Sequence, residues 1–237
     1  MLTYKTILNP SEEVLYKDKG SKFYGYAFPI LTTDEVKKHI DKLKKKHSNA
    51  GHFCFAFQHG IQTPYYRASD DGEPSNSAGL PIYGQLQAFD VTNVLVVVVR
   101  YFGGTKLGVG GLISAYKTSA KLSLEASVVK QMDILIPFKL TFEYKELSQV
   151  MRIIKKFQLV LKSQRLEMEC EVVILAKKSV EKSLQTTFEA FHKIKKVKVS
   201  YDLTANMFNP DRLLRQEAAK LLKSIDFDHY QEVQQRL

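Results

Sequence analysis

A glycine-rich segment, Gly103–Gly111, stands between an apolar run and a stretch with helical spacing. It holds five of the chain's 12 glycines together with Lys106. Glycine lets backbone N–H groups turn toward a ligand and lets that ligand approach closely. The start of a following helix would add free N–H donors and the positive end of its dipole. The segment therefore predicts an anion cradle.

Two well-known phosphate-binding motifs do not fit this segment. Val109 stands where a Walker loop needs lysine, and Ile113 stands where a dinucleotide fingerprint needs its third glycine. Glycines in such a turn also allow tight packing against a sheet. The residue types leave both interpretations open, an anion cradle and a packed turn.

A second unusual segment, Ile61–Gly79, is acidic at its centre. Three carboxylates lie within four residues there: Asp70, Asp71 and Glu73. We expect a long loop, named the acidic loop, and long loops in compact domains are often functional. Its carboxylates could hold a hard cation, attract a basic partner or pair with Arg67, Arg100 or Lys106. Without a second acidic cluster to complete a cage, no metal site is predicted.

His52 and Cys54 are two residues apart on a predicted strand, so they point to the same face. A Cys–His pair can form a nucleophile, but this pattern offers no third group to orient it. We interpret both as half-buried structural residues and assign no catalytic residue.

The 237 residues suffice for one large or two small domains. A hydrophobic share of 44% excludes disorder as the main state, and a net charge of +10 favours an anionic partner. Two cysteines exclude a disulfide scaffold and fit a reducing compartment. The apolar run Val94–Val99 is far shorter than the ~20 residues of a membrane helix, and the N-terminus lacks a signal-peptide pattern. We expect a cytoplasmic protein without a membrane role.

The elements that must position these segments follow from hydrophobic periodicity. Three strands are predicted: Ser21–Ile30, a half-buried Gly51–Gln58 and an interior Asn93–Phe102. One helix follows Thr33 as its cap, and a second spans Leu112–Val129. The first helix carries lysines that we interpret as a solvated face: Lys37, Lys38, Lys42, Lys44, Lys45 and Lys46.

The second half follows the order β-α-β-β-α-β, which is the split-βαβ, ferredoxin-like plan. Its third strand, Leu166–Leu175, alternates with Leu166, Met168 and Cys170 expected to face inward. The open face of this sheet lacks the aromatic residues of a base-stacking RNA binder. After Tyr201 the pattern changes, and Asn209 and Pro210 begin a predicted amphipathic tail helix.

These segments together resemble the IMPACT/YigZ family over roughly residues 15–130. The resemblance is carried by Asp70–Ser75, Ala78–Ile82 and Asn93–Gly111, and earlier blocks fit at Ser21–Phe23 and His52–Cys54. Two positions depart from the family pattern. Asn76-Ser77 replaces a Gly-Thr pair, and Ser114 replaces an arginine after the glycines.

The resemblance implies an α+β protein with three parts. These are an N-terminal domain (1–130) like domain 2 of ribosomal protein S5, with helices on one side of its sheet, a ferredoxin-like domain (135–204) like domain V of elongation factor G, and a helical tail (205–237). It also implies a link to translation, because eukaryotic members restrain the amino-acid-starvation kinase by competing for its ribosome-associated activator. No catalytic activity is firmly attached to the family, and no cofactor is implied.

We therefore expect a non-catalytic regulator that contacts RNA, the ribosome or a translation protein. The contact residues would be Arg100, Gly103, Gly104, Lys106, Gly108, Gly110 and Gly111. The acidic loop with Arg67, Asp70, Asp71 and Glu73 would orient them. The alternative is an enzyme for a phosphorylated or nucleotide substrate, with the glycines holding phosphate and Asp70 or Asp71 as base or metal ligand. Both versions expect the two segments to form one site.

Overall fold

The structure is a computed structural model that describes residues 1–189 and 195–198. The chain divides into two compact units, Thr3–Met132 and a second unit that begins at Asp133. Each has its own sheet and its own buried core, so the chain is a mixed α and β protein. Within the described residues, no helix is both long and apolar enough to cross a membrane. The end of the predicted ferredoxin-like domain, residues 199–204, and the predicted tail 205–237 lie outside the described residues.

Seven strands and three helices form between the N-terminus and residue 133. They are β1 (Thr3–Ile7), β2 (Val14–Asp18), β3 (Ser21–Pro29), α1 (Asp34–Lys46), β4 (His52–His59), β5 (Tyr65–Ser69), α2 (Gly79–Ala88), β6 (Val94–Tyr101), α3 (Gly108–Glu125) and β7 (Val129–Asp133). Five strands make one antiparallel sheet in the order β2-β3-β6-β4-β5, and β1 pairs with β7.

The central strand β6 is covered on both faces, as its unbroken run of apolar residues predicts. One face packs against α2 and α3 through Val94, Val96 and Val98. The other packs against α1 through Leu95, Val97 and Val99. The helices therefore lie on both sides of the sheet, so the expectation of helices on one side is wrong.

Strand β4 is also buried on both faces and is not the half-buried strand that its alternation predicts. Cys54 and Ala56 face α2 and α3, whereas Phe53 and Phe57 belong to the core under α1. The small residues alternating with phenylalanine look polar-facing in sequence, but they fit where helices approach the sheet closely.

Two segment boundaries differ from the prediction. The acidic loop is shorter, because Tyr65–Ser69 pairs with β4 and α2 already begins at Gly79. The name acidic loop is kept below for residues 70–78. Helix α3 begins at Gly108, four residues before the predicted start, so three of the segment's glycines lie in its first turn. Thr33 does precede α1, but its side chain makes no capping hydrogen bond.

The second unit has the predicted β-α-β-β-α-β order. Its elements are β8 (Leu135–Glu143), α4 (Leu147–Lys156), β9 (Val160–Arg165), β10 (Glu169–Lys177), α5 (Glu181–Glu189) and β11 (Lys195–Lys198). The sheet is antiparallel in the order β11-β8-β10-β9, and Cys170 lies in its core as predicted.

One prediction for this sheet is wrong. Leu166 and Met168 are 41% and 92% exposed because they belong to the connection between β9 and β10, not to the strand. The alternating pattern continues through the turn, so periodicity alone extends the strand too far.

Candidate functional site

The two unusual segments meet at one edge of the first unit's sheet. Strands β5 and β6 both run antiparallel to β4, so they run in the same direction and end at the same edge. The acidic loop follows β5 and leads into α2, while the glycine segment follows β6 and leads into α3. This edge, formed by residues 70–78 and 102–111, is named the glycine edge below.

Asp70 holds the acidic loop closed through the backbone. Its Oδ1 accepts hydrogen bonds from the backbone N–H groups of Ala78 and Gly79, at 2.9 and 2.8 Å, and its Oδ2 accepts one from Asn76 at 2.8 Å. These donors lie in the loop and at the start of α2, where helix N–H groups have no partner within the helix. Asp70 is thus an anchor for the loop and the helix start.

Asp71 ties the loop to the beginning of β4. Its carboxylate accepts a hydrogen bond from the backbone N–H of Phe53 at 2.7 Å, and its carbonyl oxygen lies 2.9 Å from Nδ1 of His52. Both aspartates therefore accept hydrogen bonds from backbone donors, and neither forms an ion pair with Arg100 or Lys106 among the contacts described. The aspartates therefore do not make the internal ion pair that the sequence allows for the three carboxylates.

Glu73 is the carboxylate of the acidic loop that pairs with Arg100. Its Oε1 lies 2.6 Å from Nη1 of Arg100 and accepts a hydrogen bond from the hydroxyl of Tyr116 at 2.7 Å. The side chains of Glu73 and Arg100 are only 4% and 6% exposed. A buried ion pair therefore joins the acidic loop to the end of β6, directly before the glycine segment.

Cys54 belongs to the same buried cluster as Glu73, Arg100 and Tyr116. Its thiol donates to the carbonyl oxygen of Asp70 at 2.9 Å and lies 3.3 Å from the hydroxyl of Tyr116. Burial raises the pKa of the Cys54 thiol far above its ordinary value, and nearby carboxylates add to the shift. Burial likewise raises the pKa of Tyr116. Cys54 is a structural thiol with no hydrogen bond to His52 among the contacts described.

The glycines of the segment have two different roles. A side-chain Cβ on Gly103 would lie 1.9 Å from the backbone carbon of Gly20, so this position requires glycine for packing. The N–H of Gly103 also donates to the hydroxyl of Ser21 at 3.1 Å. Gly111 is tight as well, with Leu107 Cβ at 3.0 Å from such a Cβ.

Three other glycines face open space. A Cβ on Gly104, Gly108 or Gly110 would meet no atom within 4 Å. Gly104 and Gly108 have φ angles of +86° and +70°, which L side chains rarely adopt. Packing therefore explains Gly103 and Gly111, whereas the space beside the other three is available to a partner.

The surface around the open glycines is both polar and apolar. Lys106 and the first residues of α3, Gly108–Gly110, are exposed. Leu107 makes no side-chain capping hydrogen bond, so the first N–H groups of the helix have neither a cap nor a partner within the helix. Phe102 is 57% exposed and Val109 is 53% exposed. The edge thus offers backbone donors, one cation and apolar contact area.

Some predictions about the site residues need correction, and some participants were missed. Arg67 is exposed on β5, opposite Phe57, and does not belong to the acidic loop. Tyr116 and Ser21 were not assigned to the site, because Tyr116 matches the apolar spacing of α3 and Ser21 begins a strand.

Asn76 has a φ angle of +62°, which suits the position where the family pattern has glycine. Among the described residues, no three His, Cys, Asp or Glu side chains form a group that could hold a metal ion.

The fold and the glycine edge define a two-unit protein of mixed α and β structure, and a family model matches its first unit. A family model described as the Impact N-terminal domain matches residues 19–124, which include both segments. The chain belongs to the IMPACT family, as the resemblance predicts.

Relatives and one solved structure extend the match beyond the first unit. The IMPACT family member YvyE of Bacillus subtilis is 33% identical over 174 residues, covering 72% of this chain and 80% of the relative. The IMPACT family member YigZ of Escherichia coli is 32% identical over 139 residues, covering 58% and 68%. A crystal structure described as that of a hypothetical protein has a TM-score of 0.65 at 23% identity, covering 85% of this chain and 99% of that one. This last match shows the fold alone.

Proposed function

We propose that this protein is a non-catalytic regulator of translation in the cytoplasm, and that it contacts the ribosome or a ribosome-bound protein through the glycine edge. Membership of the IMPACT family supports the link to translation, because the resemblance implies that its eukaryotic members compete for a ribosome-associated kinase activator. The observation that carries the contact surface is the open space beside Gly104, Gly108 and Gly110. Gly104 and Gly108 require glycine for their positive φ angles, so the open space beside Gly110, whose φ angle is ordinary, is the feature that a partner approaching the backbone would explain.

The chemistry of the edge suits binding. The exposed N-terminus of the 18-residue helix α3 presents N–H donors and a partial positive charge. The buried ion pair of Glu73 and Arg100 fixes the acidic loop to β6, so this loop loses little conformational entropy when a partner binds. Exposed Phe102 and Val109 add apolar area of the kind found at the centre of protein interfaces.

The alternative, an enzyme acting on a phosphorylated substrate, has less support. It requires Asp70 or Asp71 as a base or metal ligand, and both carboxylates already accept backbone hydrogen bonds. The thiol of Cys54 is buried, and its raised pKa opposes formation of a thiolate nucleophile. The described contacts give these residues structural roles.

The finer assignment of the two folds is also part of this proposal. The strand order β11-β8-β10-β9 supports a ferredoxin-like second domain, since the split-βαβ plan places its fourth strand beside its first. Helices on both faces of the first sheet depart from the expected one-sided arrangement, so similarity of that unit to domain 2 of ribosomal protein S5 rests on the family resemblance. The proposed boundaries remain 1–130, 135–204 and 205–237.

The proposal is tested by sedimentation of the full chain with purified bacterial ribosomes through a sucrose cushion. The variant Gly110→Leu places a side chain in the open space of α3 at a position whose φ angle is ordinary, so it blocks approach without straining the backbone. The matched control is Gly84→Leu in α2, where a Cβ also meets nothing within 4 Å. We expect the wild type and Gly84→Leu to pellet with ribosomes and Gly110→Leu to remain in the supernatant.

Two results would contradict the proposal. If the wild type does not pellet with ribosomes at low salt, the proposed partner is wrong. If folded Gly110→Leu pellets as well as the wild type, the glycine edge is not the contact surface. Circular dichroism melting curves of both variants verify that the fold is retained.

A further inference from the structure

The α1 side of the first sheet leaves part of the strands β2, β3 and β6 uncovered. The register places Leu15 opposite Tyr24, Lys17 opposite Lys22, and Lys22 opposite Tyr101. Residues directly opposite each other lie on the same face, and Tyr24 and Tyr101 pack against the core under α1. Leu15 is 43% exposed, both lysines are exposed, and both tyrosines are half-buried. These five residues are named the tyrosine–lysine patch.

The two lysines of the patch are paired unfavourably. Like charges directly opposite each other on antiparallel strands are destabilising. Neither Lys17 nor Lys22 has an ion pair among the contacts described for residues 1–189 and 195–198. An anion bound between them would relieve the repulsion. A bound polyanion would therefore stabilise the hairpin that β2 and β3 form.

The tyrosines of the patch are held in place by their neighbours. The rings of Tyr24 and Tyr101 meet edge to face, with centroids 5.7 Å apart. The imidazole of His47 lies 5.0 Å from the Tyr24 ring, and its Nδ1 is 3.1 Å from the hydroxyl of Tyr101. Such fixed rings lose little side-chain entropy when a planar group stacks on them.

The surroundings of the patch are basic. The last turn of α1 carries three exposed lysines immediately before His47: Lys44, Lys45 and Lys46. Glu13, whose carboxylate lies 3.9 Å from Nε2 of His47, is already paired with Lys46 at 2.6 Å and accepts a hydrogen bond from Tyr26. Asp18 lies opposite Ser21, on the other face of the sheet. The acidic groups near the patch therefore leave its positive charge largely uncompensated.

We propose that the tyrosine–lysine patch binds single-stranded RNA, with phosphates between Lys17 and Lys22 and a base stacked on Tyr24. Fixed aromatic rings beside a row of cations are how proteins bind single strands without sequence preference. A duplex hides the faces of its bases, so it would use the lysines but not the ring. The patch adjoins the glycine edge, because Tyr101 precedes Phe102 and Lys22 follows Ser21, which accepts a hydrogen bond from Gly103. It uses different residues from that edge, and the inference does not rest on the proposed function.

The test measures binding of a short fluorescent oligouridylate to the full chain by anisotropy over a range of salt concentrations. The double variant Lys17→Gln, Lys22→Gln removes two exposed cations. Its slope of log affinity against log salt should be less negative by about 1.4, at about 0.7 for each lost phosphate contact. The matched control is Lys117→Gln, Lys121→Gln on α3, across the sheet, which should keep the wild-type slope.

A second pair of variants tests the stacking contact. Tyr24→Leu should weaken oligouridylate binding at least about fivefold, whereas Tyr24→Phe should retain it, because stacking requires only the ring. A melting curve of Tyr24→Leu shows whether the fold is kept, and the lysine variants test the patch if it is not.

Three outcomes would overturn the inference. The first is an unchanged affinity and slope in the Lys17 and Lys22 double variant. The second is an equal loss in the α3 control, which would indicate general charge attraction. The third is equal affinity for a duplex of the same length. Because none of these variants alters Gly110, failure here is distinguishable from failure of ribosome binding through the glycine edge.

Discussion

Nη1 of Arg100 lies 2.6 Å from Oε1 of Glu73, and this ion pair joins the end of the central strand to the acidic loop. The guanidinium also lies 5.5 Å from the ring of Phe23 in the core and 5.6 Å from the exposed ring of Phe102. One side chain therefore connects the sheet, the acidic loop and the start of the glycine segment. We therefore expect the conformation of the glycine edge to depend on Arg100.

Removing the charge of Glu73 should destabilise the first unit strongly. In Glu73→Gln the cation of Arg100 stays buried without its counter-charge, and breaking a buried pair costs about 3–5 kcal/mol. Urea unfolding measures the loss. The matched change Glu125→Gln breaks the exposed pair with Lys121 and should cost less than about 1 kcal/mol. Equal, small losses in the two variants would contradict the structural role of the pair.

The two kinds of glycine should respond differently to alanine. Gly103→Ala introduces a Cβ at 1.9 Å from Gly20, and such overpacking costs about 1–3 kcal/mol or more. Gly110→Ala places its methyl in open space within a helix, so it should be neutral or stabilise by up to about 1 kcal/mol. Thermal and urea unfolding of both variants gives the comparison. A Gly103→Ala protein as stable as the wild type would refute the close approach to Gly20.

The thiol of Cys54 should react slowly in the native protein. Its pKa is raised by burial, so almost no thiolate forms near neutral pH. In the variant Cys170→Ala, where Cys54 is the remaining cysteine, labelling by a thiol reagent should be slow until urea unfolds the chain. Rapid labelling under native conditions would favour an activated Cys–His pair instead.

Stability should fall as the solution becomes mildly acidic, partly through His47. Burial lowers the pKa of His47, with opposing and supporting effects from Glu13 and Lys46. The folded pKa lies below the unfolded value, so the unfolded state binds more protons and stability rises with pH. The free energy of unfolding should therefore decline as pH falls below the unfolded value of 6.5.

The variant His47→Gln isolates this contribution from that of the other histidines. His39 and His59 also have a pKa lowered by burial, so some pH dependence should persist in the variant. Denaturant unfolding at about pH 7.5 and about pH 5.5, on either side of the usual histidine pKa, measures the difference. An equal decline in His47→Gln and the wild type would show that His47 does not contribute.

Much of the fold was predictable because its elements have strong local patterns. Val94–Val99 is a β-branched run that fits only an interior strand, and the structure places it there. The order of the second unit was also predicted from alternating and helical spacing. The errors fall where local pattern is ambiguous. Tyr65–Ser69 becomes a strand only by pairing with β4, and Met168 continues an alternation through a turn.

The sequence by itself determined the family, the two-unit organisation it implies and the two segments that make the candidate site, because their residue types and spacing are local properties. Only the tertiary structure decided which carboxylate reaches Arg100. Three acidic residues within four positions look equivalent in sequence, yet backbone N–H groups occupy Asp70 and Asp71 and leave Glu73 to meet the guanidinium.

Only the tertiary structure likewise separates the glycines needed for packing from those that face open space. Residue type predicts their conformational freedom, but whether a Cβ would meet Gly20 or open space depends on strands that are distant in the chain. The opposition of Lys17 and Lys22 likewise exists only once β2 and β3 pair in one register. Local pattern sets which elements form, whereas long-range packing and register decide which side chains meet.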